Sequence, residues 1–181
     1  MIAMMGSGCS RLLPSVKQTT ESPWQTFEDA KTAFDEIEPK KTTREDLKKL
    51  GFDPFETANV KLITYLELIE RFMPNQSIQM TDLDPGVQAC LKARELCQGY
   101  EISPQMLDSK RYGNAALDLL NFRRKKMTIG WKFKALIVLN EGLVVHKVWG
   151  GEPNVAEYED KKNPLGPLQN IDNVIPPIKI F

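Results

Sequence analysis

The sequence predicts an α+β protein, a two-layer sandwich with N-terminal helices packed on an antiparallel C-terminal sheet. Three observations carry this. Trp24, Phe27, Ala30, Phe34 and Ile37 recur at helical spacing. Trp131, Phe133, Ala135, Ile137 and Leu139 alternate with Lys132, Lys134, Leu136 and Val138, the period-two pattern of a strand with one buried face. Asn140-Glu141-Gly142 then reads as a hairpin, with Gly142 suited to the left-handed position of a three-residue loop and 143–149 as the returning strand. Helical patterns come first and strand patterns last, the order expected of a layered α+β domain.

Composition sets the limits. A chain of 181 residues suits one domain with tails, and 41% apolar residues can supply a core. Lys plus Arg and Asp plus Glu stand at 24 each, so no global basic field points to nucleic acid. No run approaches the roughly 18 apolar residues of a membrane-spanning helix. Membrane attachment, if present, runs through the N-terminus.

That end carries Met4-Met5-Gly6-Ser7-Gly8-Cys9-Ser10, a small-residue run that reads as the cleavage box of a bacterial lipoprotein signal. On this reading residues 1–8 are a truncated signal peptide with its start upstream of Met1, and Cys9 becomes a lipidated N-terminus. Gly6 stands where such signals usually carry Leu, and no Lys or Arg precedes Arg11. The alternative is an ordinary N-terminus with an unrelated cysteine. Residues 9–22, rich in Ser, Thr, Gln, Lys and Pro, read as a lipidated flexible tether.

The α+β domain is expected over 23–151. Ser22-Pro23 has the form of an N-cap followed by Pro at the first helical position, and the helix runs to about Ile37, before Pro39. Thr42 or Thr43 can cap a short second helix, with Glu45 or Asp46 completing a capping box, Leu47 and Leu50 facing inward and Gly51 stopping it. Val60, Leu62 and Thr64 suggest a strand, whereas 65–72 fits a helical turn or two equally well. Asp84-Pro85 caps another helix. A short strand lies near 100–102, residues 103–115 read as a loop, and 119–124 as a strand. Gly150-Gly151-Glu152-Pro153 ends the sheet, and 152–181 is expected to be an irregular Pro-rich segment.

Without Cys9, the chain retains Cys90 and Cys97, an even pair that an oxidising compartment would close. On one continuous helix they would lie roughly 10 Å apart, beyond the about 7 Å that a disulfide spans. A bridge therefore requires the helix to end before Cys97, with Gly99 as the nearby terminator. The alternative is two reduced thiols.

No catalytic constellation is evident. His146 is the only histidine, Cys90 and Cys97 lack the spacing and companion ligands of a zinc site, and there is neither a phosphate-binding Gly loop nor a nucleophile elbow. Neighbouring carboxylates such as Glu28 and Asp29, Asp35 and Glu36, and Glu157 and Glu159 sit in charged, solvated contexts. Trp131 and Trp149 read as packing residues. Neither a cofactor nor a metal is expected, nor an enzyme. Arg123-Arg124-Lys125-Lys126 is the one concentrated basic run, a candidate contact for anionic headgroups or an acidic partner.

Residues 37–54, Ile-Glu-Pro-Lys-Lys-Thr-Thr-Arg-Glu-Asp-Leu-Lys-Lys-Leu-Gly-Phe-Asp-Pro, resemble the opening of the SmpA/OmlA (BamE-like) outer-membrane lipoproteins. There a Gly-Met-Thr-like cap leads into a short amphipathic helix ending in Leu-Gly-x-Pro. Here Lys40-Lys41-Thr42 stands in place of Gly-Met-Thr, and Asp53 is an added residue before Pro54. The segments around Cys90, Cys97, Trp131, Trp149 and 163–169 are similar to a divergent branch of that family. The resemblance implies a lipid-anchored domain on the periplasmic face of the outer membrane. It would bind envelope protein partners, without nucleic acid and without catalysis, as an accessory in outer-membrane or envelope assembly. The other expectations left open are an enzyme with a site near His146 and a protein inhibitor using its sheet face.

Overall fold

The structure, a computed structural model, describes residues 13–166. Cys9, the 1–8 signal segment, the first part of the tether and 167–181 lie outside the described residues. The chain forms a mixed α/β fold around a six-stranded antiparallel sheet. Its elements are β1 (Ser15–Thr19), α1 (Phe27–Asp35), α2 (Arg44–Lys49), β2 (Val60–Thr64), α3 (Tyr65–Phe72), α4 (Pro85–Ala93), β3 (Cys97–Ile102), β4 (Gln105–Tyr112), α5 (Ala115–Leu119), β5 (Arg123–Asn140) and β6 (Leu143–Lys162). The strand order is β1-β4-β5-β3-β2, with β6 also paired to β5. The chain divides into two compact units. The larger comprises Thr19–Met106 and Gly130–Val155, and the smaller, among the described residues, 13–18, Leu107–Ile129 and 156–166.

In the larger unit the helical stripe forms as its spacing demands, and Trp24, Phe27, Ala30, Phe34 and Ile37 are all buried. The cap, however, is Thr26 and not Ser22. The Asp29 amide donates to the Thr26 hydroxyl and the Thr26 amide to Asp29, closing a capping box. Ser22 turns back on Trp24, donating to its carbonyl. In α2 the box uses Thr43 and Asp46, and Gly51 follows at φ +88°, a left-handed stop. The stretch left open at 65–72 is helix α3, because Thr64 and Glu67 cap each other reciprocally. Asp84 accepts from the Gly86 amide and Pro85 opens α4, as its sequence predicts.

Sheet pairing in this unit is antiparallel, with Val60 opposite Ile102 and Cys97 opposite Asn140. The sequence suggests one buried face on the central strand, whereas both are covered from Ala135 to Leu139. Trp131, Phe133, Ala135, Ile137 and Leu139 join the core formed with α1 and α2. Leu136 and Val138 join a second core with Leu68, Val87 and Cys90 from α3 and α4. The two apolar residues on the supposed polar face were the signal for this second layer of packing.

Helix α4 stops at Ala93, Arg94 turns the chain at φ +52°, and Cys90 and Cys97 come to 4.9 Å between Cα atoms with their sulfurs at disulfide distance. Gly99 is not the terminator. It lies in β3, where a Cβ would come within 2.6 Å of the Ile63 side chain. The hairpin loop is shorter than expected: Glu141 (φ +52°) and Gly142 (φ +82°) alone join β5 to β6, a two-residue turn that matches strand twist.

Four further stretches differ from the sequence reading. Residues 15–19, read as tether, form β1. Residues 105–112, read as loop, form β4. Helix α5 and a turn occupy most of the strand expected at 119–124. Strand β6 runs through Gly150 and Pro153 to Lys162, where an irregular segment was expected. The polar segments Ser15–Thr19 and Gln105–Tyr112 are strands because backbone pairing in the sheet holds them, a gain with no trace in side-chain periodicity.

Candidate functional site

The smaller unit carries an unusual corner. Asn114 caps α5 by accepting from the Ala116 and Leu117 amides. The chain then turns at Asn121 (φ +59°), with the Phe122 amide donating to the Leu117 carbonyl at 2.8 Å. A second loop is fastened to the first. The Asn163 amide donates to the Phe122 carbonyl at 2.8 Å, and its side-chain nitrogen donates to the Asn121 carbonyl and side-chain oxygen. Asn163 is buried, and Gly166 rests against the Phe122 ring. These polar groups are satisfied inside the two loops, so the outer positions fall to apolar side chains. Leu117, Leu119, Leu120, Phe122 and Leu165 are exposed, from 39% for Phe122 to 66% for Leu119. These five exposed apolar side chains are carried on loops joined by the Asn121–Asn163 hydrogen bonds.

The basic run begins directly after this corner, at the start of β5. Strand alternation divides it. Arg123 and Lys125 line one cavity of about 140 Å³ with Tyr112 and Leu117, whereas Lys126 lines a different notch with Ser109 and Arg111. Arg123 is committed to Asp160 through two bonds of 2.9 and 2.5 Å, which lower the Asp160 carboxyl below its usual range. Lys125 lies 5.8 Å over the Tyr112 ring. Arg124 is half-buried, with its Nε unpartnered among the described residues. The four side chains are therefore not one patch, and Lys126 is the exposed one.

His146 lies on β6. Its Nδ1 lies 3.7 Å from Asp84 Oδ1, an oxygen that already caps α4, and the Phe72 ring stands edge-on at 5.9 Å. The groove of about 430 Å³ beside it is lined by Lys40, Asp84 and Lys147 among others, with no hydroxyl or thiol. Lys147 closes the C-terminus of α1, donating to the Phe34 carbonyl at 2.9 Å and lying 4.7 Å from the Phe34 ring. Burial pushes its ammonium pKa down. Trp131 is core. Trp149 stacks on Phe133, meets Phe27 edge-on and carries the Lys31 ammonium at 4.8 Å. Among the described residues no group of His, Cys, Asp and Glu is placed to hold a metal ion, and no helix is long and apolar enough to cross a membrane.

No family model, curated protein or solved structure matches this chain. The residues that sequence reasoning missed are the apolar corner and the Arg111–Asp118 pair beneath it. Gly113-Asn114 carried a turn and cap signal that could have separated α5 from the strand.

Proposed function

We propose that the protein is a lipid-anchored binding or scaffold protein of the bacterial envelope, held on the periplasmic face of the outer membrane through Cys9 and accessory to envelope assembly. Its architecture is BamE-like in this reading, with α1 and α2 as the helical layer on the antiparallel sheet and the α3–α4 pair as an addition. The observation that carries the binding role is the corner of Leu117, Leu119, Leu120, Phe122 and Leu165, built on loops joined by the Asn121–Asn163 hydrogen bonds and followed by the basic start of β5. The described part of the smaller unit holds nine Lys and Arg against five Asp and Glu, in a chain that is neutral as a whole. The partner that fits is an envelope protein presenting apolar side chains beside carboxylates. The Cys90–Cys97 pair supports an oxidising compartment.

Two measurements test this. Palmitate labelling that is abolished by Cys9→Ala and blocked by globomycin is expected, with the variant released from the membrane fraction. An unlabelled protein indifferent to Cys9→Ala refutes the anchor. A photo-crosslinker at Leu119 is expected to give a specific adduct with an envelope protein that disappears in Leu120→Ser, while the same probe at Lys92 on α4 gives none. Equal labelling at the two positions refutes the docking surface.

A further inference from the structure

We propose that the notch lined by β1, β4 and β5 in the smaller unit is a binding site for a phosphate-type anion, carried either by a soluble phosphate compound or by a phospholipid headgroup. The inference does not depend on the anchor at Cys9.

The notch has a volume of about 240 Å³ and is lined by Pro14, Val16, Gln18, Ser109, Arg111 and Lys126. That is several times the roughly 30 Å³ share of one water, enough for a tetrahedral anion and part of its hydration. Its wall offers two cations, an amide and a hydroxyl, and no carboxylate. Alternation explains the set. Val16 and Gln18 share a face of β1, and Ser109 and Arg111 a face of β4. Lys126 shares its face of β5 with Thr128, whose hydroxyl lies 2.9 Å from that of Ser109.

Arg111 is held in place from behind. Its Nη1 donates to Asp118 Oδ1 at 3.1 Å, and Asp118 is only 2% exposed. Asp118 Oδ2 has no hydrogen-bond partner among the described residues, so Arg111 is the partner that offsets the burial of this carboxylate. The guanidinium has five N–H donors, and the Asp118 contact fixes the group while leaving others for a ligand in the notch. Lys126 is exposed, with no carboxylate partner among the described residues, and adds a mobile point charge opposite the fixed fork. A planar fork beside an ammonium, with hydroxyl and amide donors nearby, is the chemistry that recognises phosphate oxygens.

The test is an amide-resolved NMR titration of the full chain with inorganic phosphate, at constant ionic strength against chloride. Saturable shifts are expected at Gln18, Ser109, Arg111 and Lys126. Lys126→Gln and Arg111→Lys should each weaken the affinity roughly tenfold, the scale of losing one charge-assisted contact. Lys110→Gln, on the opposite face of β4 and paired with Asp108, should leave it unchanged. Lys126→Gln removes an exposed side chain, so it answers the question even if Arg111→Lys disturbs folding. The source is separated by co-sedimentation with phosphatidylcholine vesicles with and without phosphatidylglycerol. Binding that needs the anionic lipid and Lys126 assigns the headgroup, and saturable phosphate binding with no preference between the vesicles assigns a soluble compound. Shifts that rise linearly with phosphate, or that Lys126→Gln leaves unaltered, overturn the proposal.

Discussion

Reducing the Cys90–Cys97 bridge should lower the stability of the larger unit by about 2.4 kcal/mol. The two residues are 7 apart in sequence. Closing a loop of that length removes about 8 cal/mol/K of entropy from the unfolded chain, which is about 2.4 kcal/mol at room temperature. The folded state loses little in return. Both residues are buried, and the Cys90 sulfur lies 3.1 Å from the Leu139 carbonyl, so the freed thiol has an acceptor at hand. The change therefore falls on the unfolded side. Urea unfolding followed by tryptophan fluorescence reads it directly, because Trp24, Trp131 and Trp149 all belong to the larger unit. With a slope of about 2 kcal/mol/M, the midpoint should fall by about 1.2 M on adding reductant, with the slope little changed. Coincident transitions with and without reductant would refute the reasoning, as would a Cys90→Ala, Cys97→Ala chain that loses nothing.

Three other outcomes are expected. Gly151→Ala should destabilise by about 2–4 kcal/mol in the same urea assay, since its Cβ would lie 2.3 Å from the Lys132 carbonyl at φ +143°; a loss below about 0.5 kcal/mol would contradict that contact. The Thr43 hydroxyl first, and then Lys49, hold the Asp46 carboxyl at about 2, well below its usual value near 3.8, and the Phe55 amide first, then Lys48, lowers Asp53. A depressed folded-state pKa means that the unfolded chain takes up protons first, so stability present above about pH 4 should be lost towards about pH 2; Thr43→Ala should cost about 1 kcal/mol at neutral pH and make that fall shallower, as urea midpoints across the range would show. Leu119→Ser should leave the urea midpoint within experimental error when unfolding is followed by far-UV circular dichroism, which reports the smaller unit as well, because this side chain is 66% exposed and packs little; a clear loss would mean that the corner is structural and not a contact surface.

The helical stripe from Trp24 to Ile37, the Thr43–Asp46 box, the Asp84-Pro85 cap and the alternation from Trp131 to Leu139 were legible because each is local. Periodicity and caps are decided within a turn or two of chain. The errors share one cause as well. Ser15–Thr19 and Gln105–Tyr112 are polar, and pairing with other strands makes them β. Gly150 and Pro153 look like an end to β6, but the strand runs through both, and β6 has β5 as its one strand neighbour among the described residues, the kind of edge position where proline is tolerated. The basic run was read as one patch, and the strand divides it between two faces.

The sequence by itself determined the helices at Phe27–Asp35, Arg44–Lys49 and Pro85–Ala93, which run is the central strand, and which two cysteines are close enough in the chain to meet once a helix ends. These are choices made by near neighbours through spacing and backbone hydrogen bonding. Only the tertiary structure decided that both faces of the central strand are buried from Ala135 to Leu139. It alone set five large apolar side chains outward on loops tied by Asn121 and Asn163, and brought Arg111, Asp118 and Lys126 together from separate elements. Those arrangements depend on strand pairing and packing between residues far apart in the chain, which short-range pattern does not encode.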